Sequence, residues 1–334
     1  MSSTAQFFER LSARHAAAPA EEVLWLSIQG YVVRVEFRGM PVSDVMRLNL
    51  QFLLCEPQEQ ADELLCVWQD DFDEILPHVM LSEEELRIHF HQTDEYHLIW
   101  PGTYRRLSAR DDAAHVTYIC YERGEATPEI CATKPFTNEM QWWLWGRSLL
   151  LHAGAVGAGG KGALIAAPSG GGKSTLTLAA LNAGMDFISE DFLLVPWSGP
   201  AVGHAAFPTG NLLPDTLERL PQFKDGVLTY MEGKGKYVVD LTGYGRGIAK
   251  SLPLDVLILP RICNASEPKI VPLSSVRPYM MAAVSAAKQV KARANLAESV
   301  QAIMARLKGI PAYEMHLSAD LDANVAALRT FLEG

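Results

Sequence analysis

The sequence predicts an α/β protein in two parts, a β-rich α+β domain over residues 1–137 and a second domain over 138–334. Three observations lead there. Between Glu21 and about Pro135, short runs alternate apolar and polar residues, the period of half-buried strands. From His152 to about Val202 strands alternate with a helix in α/β style. In that second part a glycine-rich loop stands between an apolar strand-like run, Gly162–Ala166, and a helical run, Ser174–Leu181.

The elements follow in order. Residues 1–20 read as a short amphipathic helix ending in the alanine-rich run before Pro19, loosely attached. Val23–Ile28 and Tyr31–Phe37 flank Gln29-Gly30 and form a hairpin. Helices are expected around Ser43–Leu54 and Ser82–Glu85, and alternating strands at Leu86–His91 and Val116–Tyr121. Asn138–Leu151 is strongly apolar, with Trp142 and Trp145 three apart, and reads as a core helix joining the two parts. After Pro200 the chain is rich in Gly and Pro until Leu254–Leu259, a buried strand. From Ser274 to Gly334 it is mostly helical, apart from a short strand near Tyr313–Leu317.

Composition narrows the function. The net charge of −10, from 29 basic and 39 acidic residues, argues against a broad basic face for nucleic acid. No apolar stretch is long enough to span a bilayer, and the N-terminus lacks the regions of a signal peptide, so a cytoplasmic location is expected. Cys55, Cys66, Cys120, Cys131 and Cys263 read as reduced thiols, small and buried rather than zinc ligands. The acidic run Asp70–Glu74 lacks the glycine turn of a calcium loop and reads as solvated.

The loop itself is Ala167-Pro168-Ser169-Gly170-Gly171-Gly172-Lys173-Ser174, followed by Thr175. It fits the phosphate-binding pattern with alanine in place of the first glycine, a small residue that a negative φ accommodates. Such a loop turns several backbone N–H groups toward one point, and the following helix N-terminus adds partial positive charge. Lys173 then reaches the β- and γ-phosphates, and the Ser174 hydroxyl holds Mg²⁺. The chain is therefore expected to bind a nucleoside triphosphate.

One helix further on, Phe187–Val195 reads as a strand with Glu190 and Asp191 in its middle. Two adjacent charges in a strand are costly unless cations or ligands meet them. Alternation puts them on opposite faces unless the chain bulges, so one suits Mg²⁺ and the other a proton from a substrate hydroxyl. Upstream, His152 follows three leucines and is expected half-buried at a sheet edge.

Three segments together, His152-Ala153-Gly154-Ala155-Val156, the loop Ala167–Ser174 and Ser189-Glu190-Asp191, resemble the HPr kinase/phosphorylase family. The resemblance covers residues 149–200 firmly and 200–330 loosely, and not the N-terminal half. It implies the P-loop fold shared by HPr kinases and PEP carboxykinases, use of ATP and Mg²⁺, and phosphoryl transfer to a hydroxyl. By position it implies Glu190 as the base, Asp191 as the second acid and His152 behind the base, with Ser169–Thr175 on the nucleotide. Lys234 and Lys236, and Arg246 in a later loop, are candidates to neutralise the transferred group, under a Gly-rich lid at about 226–247. The family often forms rings, so a homo-oligomer is implied. Glu190 departs from the family's aspartate by one methylene, and the family's loop for its protein partner is not recognisable. The expected acceptor is thus a hydroxyl-bearing peptide or small molecule other than HPr, and the rival reading is a nucleotide-binding regulatory protein without transfer.

Overall fold

The computed structural model describes residues 3–75, 90–92, 96–99, 106–124, 134–289 and 296–334. The helix expected at Ser82–Glu85, most of the strand at Leu86–His91, and Cys131 lie outside them. The described chain forms two compact units that part between Trp143 and Leu144.

The first unit runs α1 (Ser3–Ala17), β1 (Ala20–Ile28), β2 (Tyr31–Arg38), α2 (Asp44–Leu50), β3 (Glu63–Asp70), α3 (Phe72–Ile75), β4 (Phe90–Gln92), β5 (Tyr96–Ile99), β6 (Arg106–Asp111), β7 (Val116–Glu122) and α4 (Thr137–Leu144). Its strands make a mixed sheet in the order β1-β2-β3-β7-β6-β5-β4. Gln29 and Gly30 both take positive φ, the turn geometry that matches strand twist, and so pin the β1–β2 register. The first helix is not loosely attached: Phe7, Phe8 and Leu11 are buried in a cluster with Trp68 and Tyr118. Nor is the start of the acidic run solvated. Asp70 is buried and accepts two hydrogen bonds from Arg14, 2.5 and 2.6 Å long. The helix expected over Asn138–Leu151 stops at Leu144, where Gly146 turns the chain at φ 82° and a strand begins at Ser148. This helix belongs to the first unit because Trp143 is buried there, its Nε1 donating to Thr117 Oγ1. Cys66 and Cys120 are buried as expected, whereas Cys55 is half-buried and Cys263 exposed.

The second unit runs β8 (Ser148–His152), β9 (Gly154–Ala158), β10 (Lys161–Ile165), α5 (Lys173–Asn182), β11 (Asp186–Ser189), β12 (Phe192–Pro196), β13 (Val202–Ala205), β14 (Thr209–Leu212), α6 (Pro214–Arg219), β15 (Val227–Met231), β16 (Lys236–Asp240), β17 (Ser251–Pro253), β18 (Val256–Ala265), β19 (Lys269–Leu273), α7 (Arg277–Gln289), α8 (Leu296–Leu307), β20 (Ala312–Ser318) and α9 (Leu321–Glu333). The central sheet has the order β11-β9-β10-β18-β20-β19, with β10, β18 and β20 parallel. Successive residues of β10 face opposite cores. Ala163 and Ile165 join the α5 and α9 side, and Leu164 joins the α7 and α8 side. The result is three layers, helix on sheet on helix, whose parallel strands end together at the edge where such folds place ligands. The Gly- and Pro-rich stretch after Pro200 is not open loop. It supplies β13 and β17 to a four-stranded sheet, β17-β13-β12-β8, and a three-stranded sheet, β14-β16-β15. The segment expected as a lid is thus largely the β15–β16 hairpin, anchored by buried Val238 and Val239.

Among the described residues, no helix is long and apolar enough to cross a membrane.

Burial raises the Asp70 carboxyl, and the hydrogen bonds from Arg14, Asp71 N–H and Trp68 Nε1 together with the Arg14 charge more than reverse this, leaving it below its ordinary value. A lowered folded value stabilises above the unfolded value and ceases to do so as pH falls through the folded one. Arg14→Ala should therefore unfold at lower urea than wild type at pH 7, by about 1–2 kcal/mol, with the gap closing below about pH 4. Urea midpoints measured from pH 7 to pH 3 would check this, and a gap independent of pH would refute it.

Candidate functional site

The glycine-rich loop leaves the end of β10 and enters α5 at Lys173. Gly170 and Gly172 take φ of 78° and 88°, which L side chains rarely adopt, so these positions call for glycine. A Cβ on Gly172 would also come within 2.8 Å of Leu317 Cδ1. Gly171 N–H closes a turn onto Pro168 O at 3.0 Å. Gly172 caps α5 without a side chain, so the first-turn N–H groups of the helix stay available to an anion.

The expected single strand Phe187–Val195 is broken in two. β11 pairs with β9 in the central sheet up to Ser189, with a register shift between Phe187 and Ser189. From Phe192 the chain pairs instead with β8 and β13 of the neighbouring sheet. Glu190 and Asp191 occupy the corner. Ser189 Oγ holds it, accepting from Asp191 N–H at 3.0 Å and donating to Phe192 O at 2.7 Å. The corner overrides strand alternation, and both acids converge on Lys173. Its Nζ donates to Glu190 O at 2.5 Å, lies 3.5 Å from Asp191 Oδ1, and lies 3.8 Å from Glu190 Oε2.

The two acids then part in role. Asp191 lines a cleft of about 300 Å³ along the loop, together with His152, Asn211, Lys236 and Ser169–Thr175. His152, at the end of edge strand β8, places Nε2 2.6 Å from Asp191 Oδ1, and its ring packs on Phe192. It meets Asp191 rather than Glu190, the acid it was expected to stand behind. Glu190 is 2% exposed and absent from the lining of the cleft. Its Oε1 accepts from Asn211 N–H at 2.8 Å. Asn211 also donates from Nδ2 to Asp191 Oδ2 at 3.3 Å, so one residue of β14 fixes both acids.

Of the three candidate cations, Lys236 lines the cleft and Lys234 and Arg246 do not. Arg246 is exposed, 3.9 Å from Asp186 Oδ1. Asn211, Thr216, Arg219 and Asn324 also line the cleft and were not singled out from the sequence. Asn211 and Arg219 carry no motif; Asn211 lies in a short strand just before the helix begun by Pro214, and Arg219 at the end of that helix.

The residues fit a nucleotide with Mg²⁺ on their donor chemistry. Among the described residues there is no cluster of three His, Cys, Asp or Glu able to hold a metal alone. Mg²⁺ suits such a place because it is held by one or two protein oxygens with water and substrate phosphates. Ser174 and Asp191 both line the cleft and would supply such oxygens.

No protein-family model matches the chain. No curated protein matches it either. Among solved structures it is similar to the Hpr(Ser) kinase/phosphatase from Coxiella burnetii, at 13% identity, covering 56% of this chain and 99% of that one, with a TM-score of 0.30.

The corner depends on a close approach at Gly154 of β9. A Cβ there would sit 2.4 Å from Thr177 Cγ2 and 3.3 Å from Ser189 O. Gly154→Ala should cost about 1–3 kcal/mol by overpacking. Thr177→Ser, which removes the opposing methyl, should recover at least half of that loss in the double variant, read from urea midpoints. Additive losses would show that the two side chains do not meet.

Proposed function

We propose that this chain is an ATP- and Mg²⁺-dependent kinase that transfers the γ-phosphate to a hydroxyl of a peptide, a protein serine or a small metabolite other than HPr. One observation carries the reading: Lys173, at the end of a glycine-rich loop, faces Asp191 at 3.5 Å in a cleft, and His152 holds that carboxylate at 2.6 Å. The sequence resemblance to HPr kinases across residues 149–200 supports it.

In this reading Lys173 and the loop N–H groups hold the phosphates, Ser174 holds Mg²⁺, and bound Mg²⁺ supplies charge neutralisation at the phosphate oxygens. The substrate hydroxyl oxygen bonds to the γ-phosphorus while the bond to the bridging β–γ oxygen breaks, releasing ADP. The hydroxyl proton goes to Asp191. We assign the base to Asp191 because its carboxylate lines the cleft and that of Glu190 does not. His152 orients Asp191, Lys236 offsets charge on the transferred group, and Glu190 fixes the corner through Asn211.

A second reading, a nucleotide-binding regulatory protein with little transfer, is favoured by two features. The acid pair offers the cleft one carboxylate instead of two, and Lys173 is held by the Glu190 carbonyl.

Labelled γ-phosphate separates the two. With purified protein, Mg²⁺ and a cytoplasmic extract of its source, the kinase should move label to an organic acceptor. Lys173→Ala should abolish this. Asp191→Asn should lower transfer about 10²–10⁴-fold while ATP still binds. Glu190→Gln should lower it by less than about tenfold, since a hydrogen-bond acceptor for Asn211 survives. Label that stays on ATP, or appears only as free phosphate, would overturn the kinase. Equal losses in the Glu190 and Asp191 variants would overturn the assignment of the base.

A further inference from the structure

Along residues 280–287 of α7 every side chain but one is apolar, and the exception is Ser285. A serine inside a helix commonly turns its hydroxyl to solvent or bonds it back to the carbonyl four residues earlier. Ser285 is half-buried, and its Oγ donates to Ala167 O at 2.9 Å, at the start of the glycine-rich loop. On the reading of this loop as a phosphate site, we propose that Ser285 is a positioning residue for it, and that through Ser285 the helix α7 sets how tightly the loop holds an anion. This control lies outside the cleft, on the opposite side of the loop.

The Ala167 carbonyl needs such a partner. Ala166 N–H still bonds to Ile258 O of β18 at 3.1 Å, but β10 has ended at Ile165 and the chain is leaving the sheet. Pro168 follows and brings no N–H. Ala167 is 2% exposed and lines the cleft. Its carbonyl, released there, would set the negative end of a dipole beside N–H groups that are to meet an anion. Ser285 engages it from behind instead. Pro168 O is engaged in the same way by Gly171 N–H at 3.0 Å. With both carbonyls occupied, the first-turn N–H groups of α5 are left to face the anion.

The packing of α7 brings the hydroxyl within reach. Ala282, Ala283, Ala286 and Ala287 are buried in one cluster with Leu164 and Ala166, at the strand that feeds the loop. Small side chains let a helix lie close, so a hydroxyl one carbon from the backbone spans the gap. The helix also stands behind the rest of the loop. Its Arg277, Pro278 and Met281 line a groove whose other wall includes Pro168, Gly170 and Gly171, and those three loop residues line the cleft as well. The loop is thus a wall with the cleft on one side and α7 on the other. Close-packed contacts transmit small displacements, so the seat of α7 and the set of the loop move together.

Calorimetric titration of the full chain with inorganic tripolyphosphate and with ATP, both in Mg²⁺, tests this. Ser285→Ala should weaken both probes about 5- to 10-fold and by the same factor, because the hydroxyl acts on the loop. Ser285→Thr, which keeps the hydroxyl, should recover at least about half of that loss. Ile310→Val removes a methylene from the same apolar cluster without touching the loop, and should leave both affinities within about twofold while lowering stability. Urea midpoints of the three variants show that each folds and how much stability it has lost. Wild-type affinity in Ser285→Ala, no recovery in a folded Ser285→Thr, or an equal loss in Ile310→Val would overturn the role of Ser285 and leave the loop reading standing. Wild type that binds neither probe would overturn the loop reading and the role of Ser285 with it.

Discussion

Two buried carboxylates lie within 4 Å of one buried ammonium at the corner between two sheets, and the second unit is organised around satisfying them. Charges taken out of water must be paired and hydrogen-bonded, or they cost several kcal/mol each. One ammonium does not balance two carboxylates, so the remainder is met by dipoles and ring nitrogens. Asn211 N–H and Nδ2, Ser189 Oγ and His152 Nε2 each meet this corner. Those partners come from β8, β11 and β14, which lie in three different sheets, while the lysine comes from α5. Moving any one of the sheets would leave a buried charge without a partner. The corner thus fixes the arrangement of this unit as firmly as its apolar cores do.

The switch between sheets explains the division of labour between adjacent acids. In a continuous strand Glu190 and Asp191 would point to opposite faces, and one would enter an apolar core. Breaking the strand at Ser189 frees both from that rule. The longer side chain of Glu190 turns inward to the β14 backbone and sits against Gly210, whose Cβ, if present, would lie 3.4 Å from Glu190 Cγ. Asp191 is left as the acid at the cleft. The methylene by which glutamate exceeds aspartate thus has a use in the fold, since the Glu190 carboxylate reaches a backbone N–H on another sheet.

The strand, glycine-rich loop and helix around Gly170–Gly172 were legible in the sequence because their geometry is local. Positive φ at Gly170 and Gly172, a strand before and a helix after are all properties of neighbours in the chain. The hairpin at Gln29-Gly30 was legible for the same reason. What escaped was set by distant residues. The β11–β12 break is stabilised by pairing with β9 on one side and β8 on the other, and apolar runs such as Phe187–Ile188 and Phe192–Val195 are alike in either sheet. Residues 148–152 joined a strand rather than a helix because β12 offers them a full antiparallel partner, which outweighs helical propensity. Asn211 and Arg219 enter the cleft by tertiary placement alone. Asp70 looked solvated because the sequence does not show Arg14, 56 residues away, folding over it.

Charge balance along the cleft joins these parts to the proposed chemistry. The chain carries a net charge of −10, yet the lining of the cleft includes Lys173, Lys236 and Arg219 beside the acids Asp191 and Asp215. On the proposed reading a triphosphate would bring several negative charges to this place, and in a partly desolvated cleft each unbalanced pair is far more costly than in water. On that reading the lysine and the loop N–H groups meet the phosphates over the helix start. They do not suffice at the terminal phosphate, which on the proposed reading lies beside Asp191. A divalent cation there removes the conflict, because it lets a carboxylate and a phosphate share one partner instead of repelling each other. The same balance gives a reason for keeping Glu190 out of the cleft. On that reading a second exposed carboxylate at that end would oppose the phosphate directly, whereas one buried against Asn211 and Lys173 steadies the lysine.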